Sequence, residues 1–301
     1  MTTKSAYGGV LVPAITPVTQ DLTPDRAAFV DHCKWLLDQG ATGLAIFGTT
    51  SEANSFSAGE RQALLDHLVD SGVPADVLMP GTGACSLTES VEVTRHALSR
   101  GVTRTLMLPP FYYKGVSDDG LFRFYSEVIQ RVGDDRLNLY LYHIPPMSQT
   151  PISLDLVERL INAYPNTVVG LKDSSGDWSN TKALIERFPG FQVFPGSEVF
   201  MLDALRIGGV GCITATGNVN VKGISALYRA WQSDQADAMN DTMVSIRKAI
   251  QAYPMVPALK FILSHFKNKE SLATVRPPLV PLAQDKGKAL LADLEKLDFT
   301  L

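Results

Sequence analysis

The stretch best suited to chemistry is an apolar run that ends in one lysine, Val168-Val169-Gly170-Leu171-Lys172-Asp173-Ser174-Ser175-Gly176. Val- and Leu-rich residues closed by turn formers predict a buried parallel strand with Lys172 as its last member. An ammonium placed there is either paired or partly neutral, because burying it alone costs several kcal/mol. A neutral amine in a dry pocket attacks a carbonyl to give a Schiff base, an electron sink for making or breaking C–C and C–O bonds. A lysine at a strand end is more often a solvated loop residue, so it needs companions. Three other stretches offer them. Gly48-Thr49-Thr50-Ser51-Glu52 is a glycine turn with consecutive hydroxyls and exposed backbone N–H groups, suited to a carboxylate or phosphate, although the same residues also make ordinary turns. Tyr112-Tyr113 reads as aromatic packing or, where a phenol faces the site, as a proton relay. Tyr142-His143-Ile144-Pro145-Pro146-Met147-Ser148-Gln149 sets a phenol and an imidazole at the end of another apolar run. Lys172, Tyr142 and Thr49-Thr50 together supply an amine, a proton shuttle and a carboxylate cradle, the three parts needed to act on a 2-oxo acid.

Positioning these groups requires a scaffold that brings strand ends together. Short β-rich runs alternate with helix-period segments about every 25 to 35 residues, the length of one βα unit. The predicted strands are 9–16, 43–47, 77–79, 103–108, 137–142, the lysine strand, 191–194 and 210–213. Thr23-Pro24 predicts the first helix start, Ser57 with Glu60 and Ser86 with Glu89 predict capping boxes, and helices follow near 117–132, 153–164, 178–188 and 198–207. Eight such units without a break in composition predict an α/β fold, a (β/α)8 TIM barrel over residues 1–225 that carries the active site. Residues 226–301, with helical period and little β signal, predict a C-terminal helical extension. In such a barrel the site is built at the C-terminal ends of the strands, where all four stretches fall.

Composition narrows the function classes. The chain has 301 residues, 45% hydrophobic and 19% charged, with a net charge of -4 from 27 basic and 31 acidic residues. That balance gives no footprint for nucleic acid or an anionic membrane, and a small-molecule partner is expected. Met1 to Tyr7 is polar, with no apolar run behind it, and no segment approaches a membrane span, so a cytoplasmic protein is expected. Cys33, Cys85 and Cys212 are odd in number and dispersed, as in a reducing compartment. The histidines His32, His67, His96, His143 and His265 are scattered, so no metal site and no cofactor are expected. Gly81-Thr82-Gly83-Ala84 lacks the third glycine of a nucleotide loop and reads as a βα turn, and Glu52 reads as a residue holding the turn beside it rather than as a general base.

Gly48-Thr49-Thr50-Ser51-Glu52, Tyr112-Tyr113, Tyr142-His143-Ile144-Pro145 and Gly170-Leu171-Lys172-Asp173, in this order, resemble the dihydrodipicolinate synthase / N-acetylneuraminate lyase family over about residues 8 to 300. The resemblance implies a class I lyase or aldolase on a (β/α)8 barrel, acting on pyruvate or a related 2-oxo acid, and a homotetramer built as a dimer of dimers. By that similarity Lys172 forms the Schiff base, Tyr142 shuttles protons, and Thr49 and Thr50, with Gly48 opening their turn, bind the carboxylate. Tyr113 matches a tyrosine that enters a neighbouring subunit's site and completes a relay with Tyr142 and Thr49. Ile213 matches a residue whose carbonyl faces the lysine, and Gly196 matches a glycine lining the pocket. His143 stands where the family usually has Asn, among the substrate-binding positions. Met147 stands where the synthase has an arginine for the carboxylate of aspartate semialdehyde, which points to a sugar- or hydroxy-acid-derived second substrate. A true 4-hydroxy-tetrahydrodipicolinate synthase, an N-acetylneuraminate lyase and a barrel kept only for 2-oxo-acid binding are the alternatives.

Overall fold

The computed structural model describes residues 7–301; residues 1–6, part of the polar segment expected to carry no targeting signal, lie outside them. In chain order the elements are β1 (Gly9–Val12), α1 (Arg26–Asp38), β2 (Gly43–Leu44), α2 (Ala58–Asp70), α3 (Leu87–Ser99), β3 (Arg104–Met107), α4 (Asp118–Val132), β4 (Asn138–His143) and α5 (Pro145–Ser148). They continue with α6 (Leu154–Ala163), β5 (Val168–Asp173), α7 (Trp178–Arg187), β6 (Gln192–Pro195), α8 (Met201–Arg206), β7 (Gly211–Ile213), α9 (Gly217–Ala230), α10 (Ala236–Gln251), α11 (Met255–Lys267) and α12 (Gln284–Glu295). The chain divides into two compact units, one of residues 7–9 with Pro74–Ile213, the other Val10–Val73 with Thr214–Leu301.

The first unit is a parallel sheet in the order β3-β4-β5-β6. Its strands are apolar along most of their length because helices cover them. The core joins Met107, Leu139, Leu141, Leu171 and Val193 of the strands to Tyr125, Val128, Leu156, Leu160 and Leu184 of α4, α6 and α7. Each of these helices begins on a side chain that accepts a first-turn N–H: Ser117 for α4, Ser153 for α6 and Asp177 for α7. The expected strand at 77–79 is not formed. Residues Ala75–Val77 make a single 3-10 turn instead, and only beyond it does an extended segment pair with β3, through Leu106 N to Pro80 O (2.9 Å) and Thr82 N to Leu106 O (2.9 Å).

A bulge in this sheet sets the register of the site. β4 and β5 pair Leu139 with Val168 and then Tyr140 with Gly170, so Val169 is the extra residue. Beyond it, Tyr142 lies directly opposite Lys172 and His143 opposite Asp173. Gly170 is required beside the bulge: a Cβ there would lie 2.5 Å from both the Tyr140 ring and the Gln192 carbonyl oxygen.

In the second unit β1 and β2 pair in parallel, Leu11 with Gly43 and Val12 with Leu44. The expected start of α1 at Thr23-Pro24 is corrected. Pro24 is held in a bridge to Val18, and the Asp25 carboxylate, accepting from Ala28 N at 2.9 Å, caps the helix two residues later. The capping box at Ser57 and Glu60 is formed in both directions, and at Ser86, in the first unit, the Ser side chain accepts from Glu89 N. Helices α9–α12 make up the rest of the second unit. Asn218, at the start of α9, accepts from Ile15 N (2.9 Å) and donates to Pro13 O (3.0 Å), fixing the loop that leaves β1.

Candidate active site

Side chains alternate along a strand, so register partners on β4 and β5 share a face. Tyr142 and Lys172 are such partners, and the Lys172 Nζ lies 3.3 Å from the Tyr142 hydroxyl and 4.3 Å from its ring centroid. Lys172 is 5% exposed, and both groups are buried. The amine therefore meets a hydroxyl group, a partner of the kind that can give or accept a proton.

The next residues, His143 and Asp173, face the other way. Asp173 accepts from Ser175 N (2.9 Å), Asn180 Nδ2 (3.0 Å) and Thr181 Oγ1 (2.6 Å), which locks the carboxylate against α7. His143 Nδ1 accepts from Ile152 N at 3.0 Å, so the neutral ring carries its proton on Nε2. Burial pushes its pKa below the usual histidine range, with the Asp173 charge pulling the opposite way. The structure thus brings Tyr142 and Lys172 together and gives His143 the separate task of holding the loop that leads to α6.

Gly196 follows β6. Its N–H donates to Asp173 O at 2.6 Å, and a Cβ would fall 2.1 Å from Ser174 Oγ, so only glycine admits this close approach of two strand ends. Ile213 is the fully buried last residue of β7. Tyr113 is 74% exposed on the loop after β3, edge-on to Tyr112, and Met147 on α5 is 65% exposed. Lys114 anchors that loop to α5 by donating to Phe111 O and to Ser148 O (2.9 Å).

In the second unit Gly48, Thr49, Thr50 and Ser51 form a turn bounded by Phe47 and Glu52, both with φ of 58°. A side-chain-bearing residue rarely adopts that conformation, and it marks a backbone over-determined by its surroundings. Thr50 is buried and Thr49 half-buried. Ser51 ties the turn to the segment after β1: its Oγ donates to Ala14 O (2.6 Å) and its carbonyl accepts from Thr16 Oγ1 (2.9 Å).

Comparison with known proteins gives these features a common origin. The model of the dihydrodipicolinate synthetase family matches residues 6–297. The chain belongs to this family. An uncharacterized DapA-like lyase of Chloroflexus aurantiacus is 31% identical over 291 residues, 96% of each chain. The crystal structure of dihydrodipicolinate synthase from Agrobacterium tumefaciens superposes with a TM-score of 0.90 at 30% identity, covering 97% of this chain and 99% of that one. YagE, a prophage protein of the dihydrodipicolinic acid synthase family from Escherichia coli K12 solved with pyruvate, gives 0.88 at 26% identity over 98% and 99%. The fold class is that of the family, the TIM barrel with a C-terminal helical extension, and the chain is a lyase of the synthase type. Among the described residues no helix is long and apolar enough to cross a membrane.

Beyond these family positions, two features were not visible in the motifs. The carboxylate of Asp173 has two partners on α7, Asn180 and Thr181, which the turn formers after the lysine did not indicate. Lys260, inside the apolar run Pro257-Ala258-Leu259-Lys260-Phe261-Ile262-Leu263, is 0% exposed and pairs with Glu52. A lone lysine on a buried helix face was the available sign.

Proposed function

We propose that this protein is a class I lyase in which Lys172 forms a Schiff base with pyruvate or a related 2-oxo acid. The observation that carries the proposal is the buried Lys172 Nζ held 3.3 Å from the Tyr142 hydroxyl on paired strands. The amine adds to the keto carbon, and Tyr142 passes a proton to the resulting hydroxyl, which leaves as water while the C=N bond forms. The imine then draws electrons from the neighbouring bond, so that the C–C or C–O bond there is made or broken. Thr49 and Thr50 hold the carboxylate of the acid, with Gly48 leaving their N–H groups accessible. Gly196 and Ile213 line the pocket, and His143 supports the loop behind Tyr142.

The exposed Tyr113 enters the site of a second subunit in a homotetramer, and activity falls on dilution to monomers. Met147 cannot pair with a carboxylate, so the second substrate is a sugar- or hydroxy-acid-derived aldehyde or acid rather than aspartate semialdehyde. Reduction with borohydride in the presence of pyruvate tests the central step. The expected product is a mass increase on Lys172 that is absent from Lys172→Ala. A wild-type protein left unmodified would refute the Schiff base, and efficient condensation with aspartate semialdehyde would refute the substrate class. Turnover on a panel of keto-deoxy sugar acids distinguishes an enzyme from a barrel that only binds its 2-oxo acid.

A further inference from the structure

The Thr49-Thr50 turn is held in place by a charge pair that does not belong to it. Within the turn Glu52 N donates to Thr49 O at 3.1 Å and Ala53 N to Gly48 O at 3.2 Å. Ser51 fastens one side, as described above. The other side ends in Glu52, whose backbone sits at φ 58° and whose side chain is buried. The Glu52 Oε1 is paired with Lys260 Nζ, and its Oε2 accepts from Arg276 N at 2.8 Å. Lys260 in turn donates to Thr274 O at 2.7 Å. The guanidinium of Arg276 continues the clamp by donating to Ser55 O (2.8 Å) and Glu60 Oε2 (3.0 Å) and lies over the Phe56 ring. Residues 274–276 and α11 thus form the floor on which the turn rests.

A stability role alone does not account for this arrangement. An apolar residue in place of Lys260 would suit a face made by Pro257, Ala258, Leu259, Ile262 and Leu263, all buried, and a buried ion pair is commonly no more stabilising than a hydrophobic replacement. What the pair does provide is a fixed direction for the Glu52 side chain, and through it a fixed backbone two residues from Thr50. We propose that Lys260, through its ion pair with Glu52, is a positioning residue that sets the affinity of the Thr49-Thr50 turn for the carboxylate of the 2-oxo acid. It rests on the assignment of Thr49 and Thr50 to that carboxylate.

The test measures borohydride trapping on Lys172 as a function of pyruvate concentration, and trapping by acetone, which has the ketone without the carboxylate. The proteins are the wild type, Lys260→Met, Glu52→Gln and the double variant, each checked for a cooperative thermal transition. Both single variants raise the half-saturating pyruvate concentration by about tenfold, the scale of a binding group displaced by a fraction of an ångström. They leave the limiting trapping rate and the acetone reaction within about twofold of wild type, since Lys172 and Tyr142 are intact. The double variant, freed of an unpaired buried charge, lies between them and the wild type. A folded variant with an unchanged half-saturation overturns the proposal. So does an equal loss with pyruvate and acetone, which is what general disorder gives. If Lys260→Met does not fold, Glu52→Gln decides; if neither folds, the pair is purely structural and the proposal is wrong. A wild type that pyruvate does not modify instead refutes the Schiff-base assignment itself, and this inference falls with it.

Discussion

Among the described residues two lysines are buried, and their surroundings are opposite. Lys260 on α11 meets a carboxylate and a backbone carbonyl, so its charge is answered. Lys172 on β5 meets a phenol, and the nearest carboxylate in sequence, Asp173, is turned away and saturated by α7. Burial lowers the pKa of Lys260, while the charge of Glu52 and its hydrogen bond pull the other way. The difference separates a buried amine tied to a carboxylate and a carbonyl from the one proposed above to react. It also predicts that the same substitution has opposite consequences at the two positions.

Methionine matches the lysine stem without the charge, so Lys172→Met and Lys260→Met form a direct contrast. Lys172→Met lowers turnover by a factor on the order of 10⁴ or more if Lys172 is the nucleophile proposed above. Its folding stability is unchanged or rises by about 1 kcal/mol, as is common when a reactive polar group is taken out of a buried site. Lys260→Met does the reverse to stability, costing about 3–5 kcal/mol because Glu52 is left as an uncompensated buried charge. Urea denaturation of both variants measures the contrast. Equal losses would mean that Lys172 is also a structural cation and would remove the distinction.

Tyr142→Phe sharpens the Lys172 side. The ring remains, and with it the packing, but the hydroxyl that shares a hydrogen bond with Nζ is lost. Turnover falls by about 100-fold or more, the usual worth of a positioned acid/base group, while the folded state is little changed. Near-normal turnover would place the proton shuttle on another group.

The parts of this contrast differ in how far the sequence revealed them. Lys172 and Tyr142 were legible because each closes an apolar run, and a parallel strand presents its last residues at one edge of the sheet. Their pairing was not, since it depends on the bulge at Val169, which no local pattern signals. His143 was grouped with the substrate contacts through its place in a motif, although alternation along β4 turns it to the other face. Thr23-Pro24 looked like a helix start, and the chain used Pro24 in a bridge because Asp25 offered a better cap. The run at Val77 was too short to fix a strand against a competing 3-10 turn. The Glu52 clamp was the least visible part. That carboxylate was read as a support for its turn, but its partner Arg276 lies 224 residues away along the chain, and only the fold joins them.

The smallest effect lies at the outer edge of the clamp, where Arg276 meets Glu60. Glu60 closes the capping box of α2 by accepting from Ser57 N at 2.9 Å, and it accepts from Arg276 Nη1 at 3.0 Å. The Arg276 hydrogen bond lowers its pKa from 4.5 to about 2. A carboxyl depressed in the folded state adds stability that is complete above the unfolded pKa and is lost as the pH falls through the folded one. The window here therefore runs from about 4.5 down to about 2. Because Glu60 is partly open to solvent, the contribution is on the order of 1 kcal/mol. Glu60→Gln should cost that amount at pH 7 and nothing near pH 2, so the urea midpoints of variant and wild type converge on acidification. Parallel midpoints across the window would show that Arg276 does not hold the Glu60 charge. The clamp on the turn would then rest on Lys260, the Arg276 backbone N–H and the guanidinium's bond to Ser55 O.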